Sequence, residues 1–171
     1  TALEYFEGKQ MPVQLMGVDT AFDDLTGIAK IITDGHYEVH DGAFDRAVLG
    51  QGLAWKLGIG ARFVSGIEVY APKREGKVNM LRPDVNFNRE TCFIAGTFAV
   101  NQQKYDDNYM LVDIDLTRRL LDYDTIEVTA LQVAVAEDYS IKKAKREIAT
   151  VLGEGYVVQD RYEQQEDFFR I

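Results

Sequence analysis

Residues 47–58 read AVLGQGLAWKLG, and this stretch decides the fold class. Three apolar residues lead into Gly50, which is typical of a buried strand that ends in a turn. Leucine and alanine then recur at helical spacing until Gly58, a residue type that commonly ends a helix. The stretch therefore predicts a strand, a glycine-containing turn and a short helix.

The same alternation of strand and helix patterns continues towards the C-terminus. Residues 109–112 form a short apolar run, and Asp113 precedes leucines on one helical face, which predicts a strand and then a helix. Residues 127–135 alternate strictly and predict a strand. Ser140 is a good N-cap for an amphipathic helix, and residues 156–159 (YVVQ) predict a final strand. This order predicts a βαβ unit and an α+β fold.

Composition limits the classes of function. The chain has 171 residues, of which 46% are hydrophobic and 27% charged, as expected for a globular domain with a core. The formal net charge of −9 argues against binding nucleic acid over a broad surface, because phosphates repel such a molecule. Cys92 is the only cysteine, so neither an intramolecular disulfide nor a zinc site built on paired thiolates can form. The chain does not begin with methionine, and we expect it to be a piece of a longer protein.

The candidate motifs for binding a cofactor or a metal fail on spacing. The glycines of residues 50–60 suggest a phosphate-binding loop, but the dinucleotide pattern requires a glycine where Trp55 stands. On a strand, His36, Glu38 and His40 would share one face but extend over roughly 13 Å, too far for one ion. We therefore predict no cofactor and no metal site.

The candidate catalytic motifs lack the companion motifs that catalysis requires. The Ser140–Lys143 spacing resembles that of penicillin-recognising enzymes, whose other motifs are absent, and an N-cap explains the serine. Cys92 lies in an apolar strand pattern, where a buried neutral thiol is expected. Adjacent acidic residues, as at 23–24 and 106–107, point apart on a helix or strand and make poor acid–base pairs. We therefore predict that the chain is not an enzyme.

One segment differs from the rest of the chain in charge. Residues 73–89 contain five basic and two acidic residues in an otherwise acidic protein, and they show no regular periodicity. This pattern predicts a loop or a protruding hairpin at about 72–92.

Several stretches, taken together in order and spacing, resemble one family. They are 47–58 (AVLGQGLAWKLG), 67–72 (IEVYAP), 93–98 (FIAGTF), 105–112 (YDDNYMLV) and the early segment 11–19 (MPVQLMGVD). The family is the extracytoplasmic domain of LolC/LolE-type lipoprotein-releasing permeases and of the related MacB and FtsX-like permeases. One departure is the Gly-Ala-Arg sequence at 60–62, where family members often carry Gly-Asp.

The resemblance implies an architecture and a cellular setting. Residues 1–45 and 124–171 would form a Porter-like α/β subdomain with βαβ units, and residues 46–123 an inserted, mainly β, Sabre-like subdomain. The domain would lie on the periplasmic face of the bacterial inner membrane as part of a multi-pass protein. Its partners would be a cytoplasmic ABC ATPase subunit and a second permease, and it would relay ATP-driven motion to a substrate.

The resemblance also implies a docking segment. LolC-type permeases use a hairpin to hold a soluble lipoprotein carrier, and by position this hairpin matches residues 72–92. Its apolar residues could contact a partner, and its basic residues could meet an acidic one. The expected partner-binding residues are Lys73, Arg74, Lys77, Met80, Leu81, Arg82, Pro83 and Arg89.

Other functions are compatible with the sequence. Within the family, a MacB-like role in efflux or export and an FtsX-like regulatory role are the alternatives to lipoprotein release. Outside it, a stand-alone protein that binds a small molecule in a pocket stays open. Solvated loops with basic residues also occur for solubility alone, and this remains the simpler interpretation of residues 72–92.

Overall fold

The computed structural model describes residues 2–6, 9–62, 64–74 and 80–166, which divide into two compact units, Thr1–Thr129 and Ala130–Ile171. In the described part of the chain, the strands are β1 (Ala2–Phe6), β2 (Lys9–Val18), β3 (Ile32–Gly35), β4 (Arg46–Gly50), β5 (Ile67–Pro72), β6 (Phe87–Phe98) and β7 (Tyr109–Asp113). The α-helices are α1 (Phe22–Thr26), α2 (Gln51–Leu57), α3 (Gln103–Asp106), α4 (Ile114–Leu121), α5 (Ile141–Leu152) and α6 (Arg161–Glu166). The expected mixture of helices and strands is confirmed at this level.

Six strands of the first unit form a sheet that closes on itself. Their order is β6-β4-β7-β2-β1-β5, and β5 pairs with β6 again at the other end. The pairs β2–β7 and β4–β6 are parallel, and the remaining pairs are antiparallel. β3 adds to the outside of this ring by pairing with the end of β6. Closure leaves few unpaired strand edges, so the ring is a stable framework for the loops that it carries.

Two long strands make this closure possible, because each changes partner along its length. Residues 9–13 of β2 pair with β1, whereas residues 14–18 pair with β7. Residues 87–92 of β6 pair with β5, whereas residues 93–98 pair with β4. The ring is therefore formed by two smaller sheets that share β2 and β6.

The inner core fills the ring with apolar side chains from alternate strand positions, since successive side chains point to opposite faces. Ala47 and Leu49 of β4 and Met110 and Val112 of β7 belong to it and are almost completely buried. Helices α2 and α4 add further leucines to the same core, among them Leu116.

The outer cluster lies on the opposite face of the same strands. Val48 and Leu111 occupy the positions between those that face the inner core. The segment of α1 and the 3₁₀ turn Ile28–Ile31 pack against them. The fully buried members and those packed around them are Val18, Ile28, Val48, Phe98, Leu111, Met16, Phe22, Ile31, Ile32, Tyr37, Val39 and Tyr109.

The strand, turn and helix predicted from residues 47–58 are confirmed as β4 and α2. Gly58 ends α2 with φ of 76°, and its amide donates to carbonyl groups of the last turn. The predicted start of α4 is also confirmed, because the Asp113 carboxylate accepts the Asp115 amide at 2.7 Å. Local capping chemistry therefore sets both helix boundaries.

The second unit corrects one prediction from the sequence. Ser140 caps α5 and Gly153 follows its last turn, as expected. Residues 127–135 and 156–159, however, form no strands, so the predicted βαβ unit is wrong. Alternation fixes which side chains share a face, but a strand also needs a neighbour for its backbone hydrogen bonds. No described strand pairs with either segment, and Leu131 is 78% exposed.

The first compact unit contains strands from both predicted subdomains. β2 and β3, from residues 1–45, lie in one continuous sheet with β4 to β7, from residues 46–123. The boundary between the compact units falls between Thr129 and Ala130. The Porter-like and Sabre-like assignments stay predictions. None of the helices in the described ranges is long and apolar enough to cross a membrane.

Candidate functional site

The segment singled out by its charge connects two paired strands. β5 and β6 are antiparallel, and their ladder runs from Ile67 and Cys92 to Pro72 and Phe87. Beyond this last pair, the Lys73 amide donates to the Asn86 carbonyl at 2.9 Å. Residues 73–86 therefore connect the two strands of a hairpin, and the structure describes residues 73–74 and 80–86 of this connection.

Two neighbouring apolar side chains of this connection are solvent-exposed. Met80 is 86% exposed and Leu81 94%. A 3₁₀ turn, Pro83–Asn86, follows them and leads into β6. Lys77 lies outside the described residues. Single exposed apolar residues are common, but an adjacent pair at a hairpin connection is a candidate contact for a partner.

The basic residues of the segment fall into two groups. Arg74 donates to the Glu127 carboxylate at 2.8 Å, and this hydrogen bond lowers the pKa of Glu127. The Arg74 guanidinium also lies 4.9 Å from the centre of the Tyr123 ring. Arg89 forms an ion pair with Glu68 at 3.3 Å. These charges are balanced within the unit, so they attract a partner less than the sequence suggests.

Lys73 and Arg82 form the other group. Both side chains are exposed. Within the described ranges, no carboxylate lies at ion-pair distance from Lys73. The structure therefore brings Lys73 and Arg82 to the same connection as Met80 and Leu81, and directs Arg74 and Arg89 to intramolecular partners.

The glycine-rich stretch at the start of α2 has a packing role. A Cβ atom on Gly50 would collide with the backbone of Asp106, and one on Gly52 with the Asp107 carboxylate. Lys56 of the same helix forms an ion pair with Asp107 at 3.0 Å. The 106–107 turn therefore occupies the space in which a phosphate would lie at a nucleotide-binding loop.

The histidine motif does not form the predicted strand face. β3 ends at Gly35, whose φ of 73° redirects the chain, and His40 makes only an isolated bridge with Asp45. His36 contacts Glu38 at 3.2 Å. In the part of the chain that the structure describes, no three His, Cys, Asp or Glu side chains are arranged to hold a metal ion.

The other sequence motifs have structural positions as well. The Ser140 hydroxyl accepts the Lys143 amide at 3.4 Å, as an N-cap does. Cys92 is completely buried in β6, as predicted. The Ser140 hydroxyl is therefore explained as a helix cap, and the Cys92 side chain belongs to the inner core.

A cavity of about 260 Å³ is a feature that sequence reasoning missed. It lies on the outer cluster, between α1 with its 3₁₀ turn and the segment after β6. Its lining is apolar and aromatic except for Gln102. The lining residues are Met16, Phe22, Ile28, Phe98, Val100, Gln102, Tyr105, Tyr109 and Leu111.

Aromatic rings and fixed backbone shape this cavity. The Tyr105 and Tyr109 rings have their centres 5.2 Å apart, and burial raises the pKa of Tyr109. The Asp106 carboxylate accepts the backbone amides of Val100 and Gln102 at 2.8 and 3.0 Å. These bonds hold the loop after β6 in position, so one wall of the cavity is fixed by the polypeptide itself.

The sequence contains one signal for this cavity. The strand segments 92–95 and 109–112 are apolar at consecutive positions, and not only at alternate ones. Continuous apolar strands are typical of sheets covered on both faces. The pattern could reveal that a second layer covers this face of the sheet. It could not reveal that a cavity lies under that layer, because the cavity depends on how distant segments pack.

Tyr37 of the outer cluster provides a test of the electrostatics near this layer. Burial, followed by the charges of Asp23, Asp19 and Asp113, raises the pKa of Tyr37 to about 12. Because the folded-state pKa lies above the unfolded value, the associated stability is complete below about pH 10 and is lost as the pH rises towards 12. NMR titration of the tyrosine ring carbons should show this late ionisation.

The substitution Asp23→Asn isolates the electrostatic part of this effect. An asparagine can still accept the Ala29 amide, which Asp23 binds at 2.8 Å, but it removes the negative charge. We expect the pKa of Tyr37 to fall in this variant, while Tyr37→Phe should remove the corresponding loss of stability above pH 10. An unchanged titration in Asp23→Asn would contradict the assignment of the aspartate as a cause.

Comparison with protein-family models and with curated proteins finds no match to this chain.

Proposed function

We propose that this chain is the extracytoplasmic domain of an ABC-transporter permease of the LolC/LolE–MacB kind, and that it is not an enzyme. In this role it docks a soluble lipoprotein carrier through the connection between β5 and β6. ATP hydrolysis by a separate cytoplasmic subunit moves the membrane segments, and the domain transmits that motion at the periplasmic face of the inner membrane. The observation that carries the proposal is the exposure of Met80 and Leu81 at this connection.

The closed ring is suited to mechanical transmission. Its six strands are hydrogen-bonded in a continuous cycle around the inner core. A packed core deforms little under load, so displacement at one side of the ring reaches a hairpin that continues its strands. The connection between β5 and β6 is such a hairpin, because both of its strands belong to the cycle.

The chemistry of the connection favours an acidic partner with an apolar groove. Lys73 and Arg82 are exposed cations at this connection, and they flank the two exposed apolar residues. Burial of a leucine side chain contributes about 1.5–3 kcal/mol, and nearby charges mainly raise the association rate. We therefore expect Met80 and Leu81 to supply most of the affinity.

The test is carrier binding by an apolar-to-polar variant. The double substitution Met80→Ser and Leu81→Ser should weaken binding of the purified lipoprotein carrier at least about tenfold, because roughly 1.4 kcal/mol of lost burial corresponds to that factor. Isothermal titration calorimetry measures the affinity. Charge reversal at Lys73 should have a smaller effect that decreases with added salt.

Val64→Ser is the matched control, because Val64 is 87% exposed and lies outside the connection. Its carrier affinity should equal that of the unaltered chain. A photo-crosslinking residue at position 81, compared with one at position 64, gives the same comparison in cells. If the carrier binds equally well after both serine substitutions, the docking role is wrong.

A further inference from the structure

The cavity on the outer cluster has no role in the proposed docking of a carrier. It is bordered by β2, β6 and β7 on one side and by the segments around α1 and α3 on the other. None of the residues that the structure describes in the hairpin connection, 73–74 and 80–86, lines it. Any ligand that it binds is therefore separate from the carrier proposed above.

The size of the cavity suits one small group. Its volume is about 260 Å³. An apolar cavity of about 150 Å³ accommodates benzene, whereas sites for drug-sized molecules begin at about 300 Å³. A group of one or two fused rings therefore fits within this volume.

The lining indicates what kind of group this is. Phe22, Tyr105 and Tyr109 present aromatic surface, and aromatic pairs favour edge-to-face or offset contacts beyond simple burial. Gln102 carries an amide group, which can orient a polar atom of the occupant. A mainly apolar aromatic ring with a hydrogen-bonding group matches this wall.

Charge around the cavity disfavours anions. The two segments that supply the lining, residues 16–30 and 98–111, carry five aspartates and two lysines, and one of the aspartates, Asp107, is paired with Lys56. Asp106 binds the amides of two lining residues, and Asp23 binds the Ala29 amide beside lining residue Ile28. Lys104 lies 5.0 Å from the centre of the Tyr105 ring. The excess of carboxylates repels an anionic substituent at the mouth of the cavity.

We propose that this cavity binds one aromatic group of about indole size, carried by a ligand without negative charge. The group is either a free small molecule or an aromatic side chain of a polypeptide, since both present the same ring. Val100 and Gln102 are exposed at the rim, so the ring enters from solvent beside them.

The test uses three probes with the same ring. The full chain, labelled with nitrogen-15, is titrated with indole, tryptamine and indole-3-acetate while amide chemical shifts are recorded. Indole should shift amides at 99–106 and 109–111. Tryptamine should bind at least about fivefold more tightly than indole-3-acetate at low salt, and the ratio should decrease as salt is added.

A filled-cavity variant localises the effect. Val100 is 36% exposed at the rim, and Val100→Trp places an indole ring where it can enter the cavity. Indole affinity should then fall at least about tenfold, since the new ring occupies the site. Val64→Trp introduces the same side chain at a valine outside the cavity and should leave the affinity unchanged.

The remaining outcomes decide the proposal. Shift changes outside the lining, no shift changes, or equal affinity of Val100→Trp and the unaltered chain would overturn it. Equal binding of indole-3-acetate and tryptamine would overturn the charge selectivity. If Val100→Trp does not fold, the shift map of the unaltered chain still locates the probe. N-acetyltryptophanamide separates the two sources: binding comparable to that of indole indicates a polypeptide, and weak binding indicates a small molecule.

Discussion

The substitution Gly35→Ala should destabilise the first unit by at least about 3 kcal/mol, because it introduces two penalties at one position. Gly35 has φ of 73°, a conformation in which an alanine is strained by about 1–2 kcal/mol. An added Cβ would also collide with the Ala95 carbonyl oxygen and approach the Gly96 Cα to 2.9 Å. Urea denaturation, followed by the amide signals of β4 and β7, measures the loss.

Two other glycines distinguish the penalty of backbone strain from the penalty of collision. Gly42 has φ of 84° but nothing within 4 Å of an added Cβ, so Gly42→Ala should lose only about 1–2 kcal/mol. A Cβ added to Gly96 would lie 2.5 Å from the His36 carbonyl oxygen and 2.8 Å from the Asp34 carbonyl oxygen, so Gly96→Ala reports crowding in the β3–β6 pair. Equal losses for Gly35→Ala and Gly42→Ala would show that the β3–β6 pair relaxes to admit a methyl group.

Local chemistry explains which elements the sequence predicts well. The helix that begins after Asp113 and the helix that ends at Gly58 each depend on a cap within a few residues of the boundary. A capping side chain or a left-handed glycine acts in the same way wherever the helix lies in the fold. These boundaries were therefore predictable from residues next to them.

Pairing between distant strands could not be predicted in the same way. Residues 127–135 have the alternation of a strand but no described strand beside them, whereas β2 and β6 each pair with two partners along their length. Alternation encodes the face of a side chain and contains no information on the neighbour. Ring closure depends on the β1–β5 pair, which joins residues 3–5 to residues 68–70.

The candidate sites show the same difference between features of one segment and contacts between distant residues. The hairpin connection was recognisable because charge and lack of periodicity are properties of one segment. The roles of Arg74 and Arg89 were not recognisable, because their ion-pair partners, Glu127 and Glu68, lie outside that segment. The cavity was least predictable, since its lining comes from residues between positions 16 and 111 that packing brings together.

The substitution Leu116→Ala should lower the free energy of unfolding of the first unit by about 3 kcal/mol, within the usual range of about 2–5 kcal/mol for buried leucines. Leu116 lies in α4, is completely buried and belongs to the inner core. Shortening it removes apolar contacts and leaves a space that a closed ring cannot easily collapse to fill, because movement of one strand would disturb its neighbours around the cycle. Urea denaturation of the unaltered chain and the variant gives the difference.

Leu25→Ala is the matched control, because Leu25 also lies in a helix of the first unit but is 46% exposed. This substitution should lower the free energy of unfolding by less than about 1 kcal/mol, since much of the Leu25 side chain already contacts water. Equal losses at the two leucines would mean that the ring adjusts around α4. A larger loss at Leu116 with an unchanged dependence on urea concentration would instead show that the inner core holds the closed sheet together. Mechanical transmission to the hairpin requires that second result, because a ring that collapses around a missing side chain absorbs displacement instead of passing it on.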